Sequence, residues 1–228
     1  MADLVVITPS RGRPRQFAEL TAAVRDTTDG RVEVLGLVDD DDPTRRDYMP
    51  RWVWTGPRRS LSGWTNIAAQ TLLNGDAAPR YLASLGDDHR PKTKDWDLKL
   101  IAAIEAMDGP GFAYGNDLYQ GPALPTAWVA SADAVRRIGW MMLPACEHMY
   151  VDTAILTLGS AAGRITYRSD VVIEHLHPFA GKADMDQSYR ESNAAERYAA
   201  DKTAFERWRD TQLAADVEKL RSGVSEWP

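Results

Sequence analysis

The sequence predicts an α/β fold built on an open, mostly parallel sheet. Two short β-branched runs, Leu4–Thr8 and Val32–Val38, have the nearly continuous apolar character of strands that are buried on both faces. The segment between them, Pro14–Thr27, has helical spacing of its apolar residues, so the chain opens as a βαβ unit. A length of 228 residues and a hydrophobic content of 44% suit one folded domain with a substantial core.

The alternation of strand and helix continues to about residue 107. We expect strands at Trp52–Thr55 and Tyr81–Leu85, and helices at Gly63–Leu73 and Trp96–Met107. Ligands of open α/β sheets bind at the carboxyl ends of the strands. The segments that directly follow the predicted strands are therefore the first places to look for a functional site.

Beyond Gly109 the pattern becomes a mixture of short strands and helices separated by Gly and Pro. The predicted strands there are Phe112–Tyr114, Ala127–Ser131, Ile165–Tyr167 and Val171–Glu174, and the predicted helices are Ala132–Ile138 and Val151–Leu158. From about Asp186 to Arg221 the sequence is charged and favours helix, which predicts one or two helices packed on the sheet.

Composition and charge exclude several classes of protein. The single cysteine, Cys146, allows neither an intramolecular disulfide framework nor a cysteine-based zinc site. The first residues lack the pattern of a signal peptide, and no apolar run approaches the roughly 20 residues that cross a bilayer. A net charge of -6 disfavours non-specific nucleic-acid binding by the whole surface, although the first quarter is locally basic. We therefore expect a cytoplasmic protein with no membrane partner.

A cluster of metal-binding residue types follows the predicted strand Tyr81–Leu85. Two carboxylates and an imidazole, Asp87, Asp88 and His89, come directly after Gly86. Carboxylate oxygen and imidazole nitrogen suit Mn²⁺ or Mg²⁺, and substrate phosphates would balance the remaining charge. An acidic turn alone is more often a solvated loop, so the assignment depends on the other strand ends.

The other strand ends carry matching features. Thr8-Pro9-Ser10-Arg11 follows the first strand, and Asp39 to Asp42 follows the second. With Gly63-Trp64-Thr65-Asn66 before the strand that ends near Asp87, this order resembles the family 2-like glycosyltransferases of the GT-A fold. The resemblance implies a single Rossmann-like nucleotide-diphospho-sugar transferase domain with a mixed central sheet and C-terminal helices. It also implies a donor-binding set: Thr8, Pro9, Arg11, Arg13, Asp39, Asp41, Asn66, Asp88 and Lys182.

In the resembling family, an Asp-x-Asp motif and a later histidine hold the metal. Here His89 stands where Asp is usual, and Glu174-His175-Leu176-His177 supplies two later histidines. The resemblance implies that Asp87 and His89 face the ion together with His175 or His177, while Asp88 contacts the ribose or the sugar. Lys182 would then be a counter-charge for the diphosphate. Which later histidine binds the metal is left open.

The acceptor side is predicted from the segment that leads into the helix at Val151. In the resembling family an acidic residue at the start of this helix activates the acceptor hydroxyl, and Asp152 is the best match. Glu147 and His148 are the reserve candidates. Trp128 either stacks on a sugar or fills the core. A base at Asp152 implies inversion of the sugar, but the Asp-x-His variant also occurs in retaining enzymes, so the stereochemistry is left open.

Together these features predict a metal-dependent glycosyltransferase that uses a UDP- or GDP-sugar. The catalytic domain would span residues 1–182, with a nucleotide-binding half at 1–107 and an acceptor half at 108–182, and residues 183–228 would form a helical extension. The compact chain also resembles small glycosyltransferases of actinobacterial phages. A modified DNA base, a protein and a small molecule are the acceptor classes considered, and the oligomeric state is left open.

Two other functions remain compatible with the sequence. A sugar-phosphate nucleotidyltransferase would also use paired carboxylates and a metal, but such enzymes usually open with a more glycine-rich loop than Thr8 to Arg13. A non-catalytic nucleic-acid-binding protein on the same fold would explain the basic first quarter, although an arginine count does not predict base recognition. Pyrophosphate release would indicate the former, and salt-dependent DNA binding without nucleotide-sugar turnover would indicate the latter.

Overall fold

The computed structural model of the chain describes residues 3–29, 31–48, 52–192 and 194–222. Residues 1–2 of the predicted catalytic domain and residues 223–228 of the predicted helical extension lie outside the described residues. The first half contains strands β1 (Leu4–Pro9), β2 (Val32–Asp39), β3 (Val53–Gly56), β4 (Tyr81–Ser84) and β5 (His89–Pro91), and helices α1 (Pro14–Thr27), α2 (Leu61–Asn74) and α3 (Trp96–Glu105). A 3-10 helix at Arg45–Tyr48 lies between β2 and β3.

The second half is mixed, as the sequence predicts. Its strands are β6 (Phe112–Asn116), β7 (Trp128–Ser131) and β8 (Ile165–His175), and its helices are α4 (Ala132–Ile138), α5 (Val151–Ala162), α6 (Gln187–Ser192), α7 (Ala195–Thr211) and α8 (Leu213–Ser222). Short 3-10 helices lie at Gly121–Ala123 and Pro178–Ala180.

One mixed sheet joins the two halves. Within the described part of the chain its order is β3-β2-β1-β4-β7-β6-β8-β5. The strands β1 to β4 are parallel, whereas β7 runs antiparallel to both β4 and β6, and β5 runs antiparallel to β8. The carboxyl ends of β1, β2 and β4 therefore open on the same edge of the sheet.

The sheet separates two apolar cores. One core contains Trp64 of α2, Ile155 of α5, and Phe205 and Trp208 of α7. The other core contains Phe17 of α1 and Trp96 of α3. The buried area on both faces explains why the parallel strands read as continuous apolar runs rather than alternating ones.

Two predictions about strands differ from the structure. The strands expected at Ile165–Tyr167 and Val171–Glu174 are one long strand, β8, with a register irregularity opposite Gly115 and Asn116. The short strand β5 was not predicted, because three residues contain no periodicity to recognise. Both differences matter for the site, since β5 and β8 pair with each other.

The helix that begins at Val151 continues past its predicted end at Leu158. Gly159 lies inside this helix, where an added Cβ would come within 2.6 Å of Ile165. Gly159 is therefore a close-packing position, and Gly163, with a φ of +66°, ends the helix instead. In the C-terminal segment the structure has three helices, α6, α7 and α8, instead of one or two.

The C-terminal helices pack on the rest of the molecule. Phe205 and Trp208 of α7 and Leu220 of α8 belong to the same buried cluster as the strands and helices of the second half. The Trp208 indole N–H donates to Asp216 at 2.8 Å, which ties α7 to α8. Among the described residues, no helix has the length and apolarity that a membrane span requires.

Candidate active site

A cavity of about 630 Å³ lies where the strand ends meet the segment before α5. One side consists of residues at and after the carboxyl ends of β1 to β4, including Arg11, Asp39, Arg58 and Asp88. We call this side the strand-end wall. The opposite side consists of residues 147–152, which we call the loop wall. Sequence reasoning therefore located both sides of the same cavity.

Two histidines of the strand-end wall are held as a cross-strand pair. His89 begins β5 and His175 ends β8, and the two residues are register partners. Their rings stack with centroids 4.2 Å apart and an interplanar angle of 18°. Residues 86 positions apart in sequence thus present their imidazoles side by side because β5 pairs with β8.

Asp88 lies between these imidazoles. Its Oδ1 is 3.0 Å from His89 Nδ1, and its Oδ2 is 3.3 Å from His175 Nε2. One ligand atom from each of Asp88, His89 and His175 lies within 4.8 Å of the others, which is close enough for all three to hold one metal ion. His89 Nε2 and His175 Nδ1 are buried and have no hydrogen-bond partner in the described structure.

The protonation states of this cluster suit a metal. Burial raises the pKa of Asp88, but hydrogen bonds from His175 and His89 outweigh it and hold the pKa well below the usual range. Burial, and then the neighbouring His175, lower the pKa of His89. Asp88 is therefore ionised and His89 neutral near pH 7, which are the forms that bind divalent cations.

Asp87 has different partners from those of Asp88. Its carboxylate accepts hydrogen bonds from Ser10 Oγ at 2.5 Å and from Arg13 Nη1 at 3.2 Å. Burial, and then the charge of Asp88, raise the pKa of Asp87 to about 6. The sequence prediction placed Asp87 and His89 on the ion and Asp88 on the ribose or the sugar. The structure instead groups Asp88 with the histidines, because consecutive residues of the turn point in different directions.

The turn itself is held by its neighbours. Arg90 is buried, and its Nη1 donates to the carbonyls of Asp87 and His89, each at 2.7 Å. The Arg90 Nη2 donates to Glu19 of α1 at 2.8 Å. Gly86 leaves room for the cluster, because an added Cβ would come within 2.5 Å of Asp88 Oδ1.

The part of the strand-end wall nearest β2 is a network around Asp39. Asp39 accepts hydrogen bonds from the Trp64 indole at 2.8 Å and from Arg11 at 3.1 Å, and Arg11 also contacts Asp41 at 2.5 Å. Pro9 and Arg11 line the cavity as expected. Thr8 is fully buried and is not among the residues that line it.

Asn66 and Lys182, both expected at the donor, have structural partners. The Asn66 side chain accepts from the amides of Met141 and Met142 and donates to the carbonyl of Met142, so it braces α2 against that segment. Lys182 contacts Glu174 at 3.0 Å. Neither residue is among those that line the cavity. Each was selected by its place in the motif order, which does not reveal where the side chain points.

His177 and Tyr189 lie beside the cluster of Asp88, His89 and His175. The His177 ring stacks on Tyr119 with centroids 5.5 Å apart, and its Nδ1 accepts a hydrogen bond from the amide of Phe179 at 3.2 Å. The Tyr189 hydroxyl donates to Asp88 Oδ2. Arg13 lies over the Tyr189 ring at 4.1 Å and pairs with Asp186 at 2.6 Å, so α6 contacts the strand-end wall.

The loop wall presents Asp152 to the cavity from the first turn of α5. Asp152 Oδ1 accepts from the amide of Thr153 at 2.7 Å, and burial raises the pKa of the carboxyl. Burial also lowers the pKa of the neighbouring His148 to about 4. The cavity therefore contains a carboxylate with a raised pKa beside an uncharged imidazole.

Asp201 of α7 holds the loop wall in place. Its carboxylate accepts hydrogen bonds from the amides of Glu147, His148 and Met149 at 2.8, 2.9 and 2.7 Å. Sequence reasoning missed this residue. The signal was present, because Asp201 lies on the apolar stripe of α7 that also carries Tyr198, Phe205 and Trp208 at helical spacing.

Comparison with solved structures identifies the fold. The mannosyltransferase PcManGT from Pyrobaculum calidifontis, solved with GDP-Man and Mn²⁺, superposes with a TM-score of 0.60 at 12% identity over 97% of this chain and 73% of its own. Glucosyl-3-phosphoglycerate synthase from Mycobacterium tuberculosis, solved with Mn²⁺, UDP and phosphoglyceric acid, gives 0.59 at 13% identity over 89% and 78%.

The catalytic domain of Drosophila β1,4-galactosyltransferase 7, solved with xylobiose, gives a TM-score of 0.58 at 11% identity over 94% of this chain and 84% of its own. No protein-family model and no curated protein matches the sequence. At these identities the similarity establishes the fold alone. The chain has the GT-A fold, a single mixed α/β architecture.

Proposed function

We propose that this protein is a metal-dependent glycosyltransferase that uses a nucleotide-diphosphate sugar. The observation that carries the proposal is the Asp88, His89 and His175 cluster, which lies at the strand-end wall of the cavity. The GT-A fold and the GDP-Man and UDP complexes of structurally similar proteins support the same chemistry.

The residues of the cluster fit a divalent cation such as Mn²⁺ or Mg²⁺. An ionised carboxylate and imidazole nitrogen are suitable ligands, and each histidine has one buried nitrogen without a partner. We assign Asp88, His89 and His175 to the metal, in place of the predicted Asp87. His177 is 4.9 Å from His175 between ring centroids and is the remaining candidate. When bound, the ion would neutralise charge on the diphosphate.

The arginines of the strand-end wall would bind the diphosphate. Arg11, Arg13, Arg58 and Arg59 all line the cavity. Arg11 and Arg13 form ion pairs with Asp39, Asp41, Asp87 and Asp186, and these pairs fix the orientation of the two guanidinium groups. Guanidinium groups suit phosphate because they donate parallel hydrogen bonds. Asp39, held by Trp64, would contact the nucleoside.

Asp152 would activate the acceptor. Its carboxylate takes the proton of the acceptor hydroxyl as the oxygen bonds to the anomeric carbon, and the bond from that carbon to the diphosphate breaks with its electron pair leaving on the diphosphate oxygen. The products are the glycosylated acceptor and a nucleoside diphosphate. Attack from the face opposite the leaving group inverts the anomeric configuration.

The domain boundaries, the acceptor classes and the location predicted from the sequence are part of this proposal. Residues 1–182 would form the catalytic unit, and α7 of the 183–228 segment would complete it through Asp201. The acceptor hydroxyl would belong to a modified DNA base, a protein or a small molecule, as for a phage-type enzyme that acts in the cytoplasm. The competing nucleotidyltransferase would instead release pyrophosphate from a nucleoside triphosphate.

Thermal unfolding with Mn²⁺ and GDP or UDP tests the donor site. A ligand at 100 times its Kd stabilises the native state by about 2.7 kcal/mol, which for this size raises the Tm by roughly 5–10 °C. We expect this shift only when metal and nucleotide are both present. Asp88→Ala should abolish the metal dependence and reduce nucleoside diphosphate release by about 10³-fold, a loss of the several kcal/mol that metal contributes.

Asp170→Ala is the matched control. Asp170 is exposed on β8, the strand that carries His175, and pairs with Arg168. This variant should keep both the Tm shift and the turnover. Asp87→Ala should retain metal dependence if Asp88 is the ligand. A metal response that survives Asp88→Ala would contradict the assignment, and pyrophosphate release would favour the nucleotidyltransferase.

A further inference from the structure

A short acidic segment of the C-terminal region covers two arginines of the strand-end wall. We call residues 186–191, which comprise Asp186 and most of α6, the acidic strap. The Asp186 carboxylate accepts from Arg13 Nε at 2.7 Å and from Arg13 Nη2 at 2.6 Å. Glu191 Oε2 accepts from Arg58 Nη2 at 2.9 Å. Both arginines line the cavity, so one short segment holds two of its cations.

The strap uses the donors of Arg13 that a diphosphate would need. Each of the three nitrogens of Arg13 contacts a carboxylate: Nε and Nη2 contact Asp186, and Nη1 donates to Asp87 at 3.2 Å. Arg13 is also buried, with 9% of its surface exposed. A guanidinium group presents the same parallel donors to a carboxylate and to a phosphate. A diphosphate that takes these donors must therefore displace Asp186.

Tyr189 extends the strap to the cluster of Asp88, His89 and His175. Its hydroxyl donates to Asp88 Oδ2, the oxygen that also faces His175 Nε2 at 3.3 Å. Its ring lies against the Arg13 guanidinium, with 4.1 Å between the ring centroid and Arg13 Cζ. Through this one residue the strap contacts both a proposed metal ligand and a proposed diphosphate arginine.

The strap is held by polar contacts, whereas the helix that follows it is held by an apolar core. Tyr189 is buried, but in the described part of the chain it belongs to neither of the two apolar cores. Phe205 and Trp208 of α7 do belong to one of them. Segments with few buried apolar contacts open at a low cost in free energy. The strap can therefore leave the wall while α7 and its Asp201 stay in place.

We propose that residues 186–191 are an autoinhibitory strap, in which Asp186 and Glu191 occupy the arginine sites of the diphosphate and binding of the nucleotide sugar displaces them. The carboxylates and the diphosphate carry charge of the same sign and need the same donors, so the two bound states exclude each other. This inference rests on the proposed nucleotide-sugar function. It gives the free protein a covered donor site that opens when a diphosphate competes for the arginines.

Amide hydrogen exchange measured by mass spectrometry gives the direction in which the strap moves. The full chain is compared with and without UDP or GDP, each added with Mg²⁺. Displacement predicts faster exchange of the amides of residues 187–191 in the nucleotide complex than in the free protein. A segment that instead closes over the nucleotide would exchange more slowly in the complex, and this result would overturn the inference. The amides of α7 are the internal reference, because we expect their exchange to be unchanged.

Asp186→Asn removes the charge of the strap and keeps the start of its helix. Asp186 Oδ1 accepts from the amide of Tyr189 at 2.9 Å, and asparagine retains this capping oxygen. If the strap covers the arginines in about nine of ten molecules, the apparent Kd is about ten times the intrinsic Kd. We therefore expect Asp186→Asn to bind UDP or GDP with Mn²⁺ up to about tenfold more tightly. Asp210→Asn is the matched control, because Asp210 pairs with Arg209 on the exposed surface of α7 and should leave the affinity unchanged.

Tyr189→Phe tests the strap with no change of net charge. The variant removes the hydroxyl that donates to Asp88 and keeps the ring beside Arg13. Because the strap loses one hydrogen bond, nucleotide binding should tighten by roughly 2- to 5-fold. Tyr81→Phe is the matched control. The Tyr81 hydroxyl also donates to a carboxylate, that of Glu105 at 2.9 Å, but Tyr81 is not among the residues that line this cavity, so the affinity should not change.

Two binding results overturn the inference while the proposed function stands. Weaker nucleotide binding in Asp186→Asn or Tyr189→Phe would show that the strap supports the donor site instead of covering it. Wild-type affinity in both variants would show that the strap does not compete with the nucleotide. If neither the wild type nor the variants bind UDP or GDP with Mn²⁺, the proposed function fails as well, and this outcome is distinct because the first two require binding.

Discussion

The two walls of the cavity are each held by one buried charged side chain, but the two charges have opposite sign. On the strand-end wall, the Arg90 guanidinium donates to the carbonyls of Asp87 and His89 and is balanced by Glu19. On the loop wall, the Asp201 carboxylate accepts from three consecutive amides, from Glu147 to Met149. Each of these groups holds main-chain atoms in place, so the side chains of the wall remain available to contact a ligand.

The walls differ in what those side chains do. On the strand-end wall, carboxylates and cations contact each other, as in the pairs of Arg11 with Asp39 and of Arg13 with Asp87. On the loop wall, Asp152 Oδ1 is held by the amide of Thr153, and within the described residues no hydrogen bond to Oδ2 is formed. A metal and diphosphate site needs charges oriented in advance, whereas a base needs an oxygen that can take a proton.

The largest expected effect is on the loop wall, at Asp152. Asp152→Asn keeps the shape of the side chain and removes its basicity, so transfer to an acceptor should fall by about 10²- to 10⁴-fold. Donor binding, measured by the Tm shift with Mn²⁺ and nucleotide, should be unchanged. Wild-type transfer rates for Asp152→Asn would remove Asp152 from the mechanism.

The pH dependence of kcat/KM provides a second test of Asp152 as the base. Burial raises the pKa of Asp152. The groups that face this carboxyl are Thr153 on the same helix and His175 on β8. Because the base must be ionised, kcat/KM should fall as the pH falls through that raised pKa, at a higher pH than the ordinary aspartate value of about 3.9. The acid limb should be absent from the residual activity of Asp152→Asn.

A smaller effect is expected on the strand-end wall, at Arg90. Arg90→Ala removes charge-assisted hydrogen bonds to two carbonyls and leaves Glu19 without this partner, so we expect a loss of roughly 3 kcal/mol in the free energy of unfolding. The turn from Asp87 to His89 should also loosen, and we expect this change to weaken Mn²⁺-dependent nucleotide binding. Denaturant unfolding with and without Mn²⁺ measures both effects.

Arg80→Ala provides the control for Arg90. Arg80 pairs with Glu105, and both side chains are more than half exposed. An exposed pair contributes less than about 1 kcal/mol, so this variant should be close to wild type. An equal loss in the free energy of unfolding for Arg80→Ala and Arg90→Ala would show that Arg90 does not hold the turn in the way the contacts indicate.

The smallest expected effect concerns Asp201. Asp201→Asn replaces one accepting oxygen by an amide nitrogen, so at least one buried amide of the loop wall loses its acceptor, at a cost of about 2 kcal/mol. Because the loop carries His148 and leads to Asp152, kcat should fall while the nucleotide Kd stays the same. Stability and single-turnover transfer are the two measurements.

Asp216→Asn is the control that separates the contribution of Asp201 to stability from its contribution to the position of the loop wall. Asp216 is also buried in the C-terminal helices, but it accepts from the Trp208 indole, and the loop wall is not among its hydrogen-bond partners. This variant should lose stability without a specific loss of kcat. If both variants lower kcat to the same degree, the effect of Asp201 is stability alone.

Much of the fold and of the site could be predicted from patterns among residues that are close in sequence. The β-branched runs at Leu4 and Val32 became buried parallel strands, and the polar residues that follow them line the cavity. The resemblance to GT-A glycosyltransferases correctly indicated the fold. These features were predictable because strand burial, helix periodicity and strand-end positions depend on residues that are neighbours in sequence.

Other features depended on contacts between distant segments. Asn66 and Lys182 match the family motif order but have structural partners, whereas Trp64, Arg90 and Asp201 matter because of what lies opposite them. No spacing along the chain places an α7 carboxylate under the amides of Glu147 to Met149. Only packing of α7 on the apolar core brings them together.

The sequence by itself determined that residues 87–89 follow a buried strand and that two histidines follow another apolar run. Only the tertiary structure decided that β5 and β8 pair in the register that joins His89 to His175, which places Asp88 between the rings and leaves Asp87 to Ser10 and Arg13. The physical reason is that strand register is set by hydrogen bonds between segments far apart in the chain.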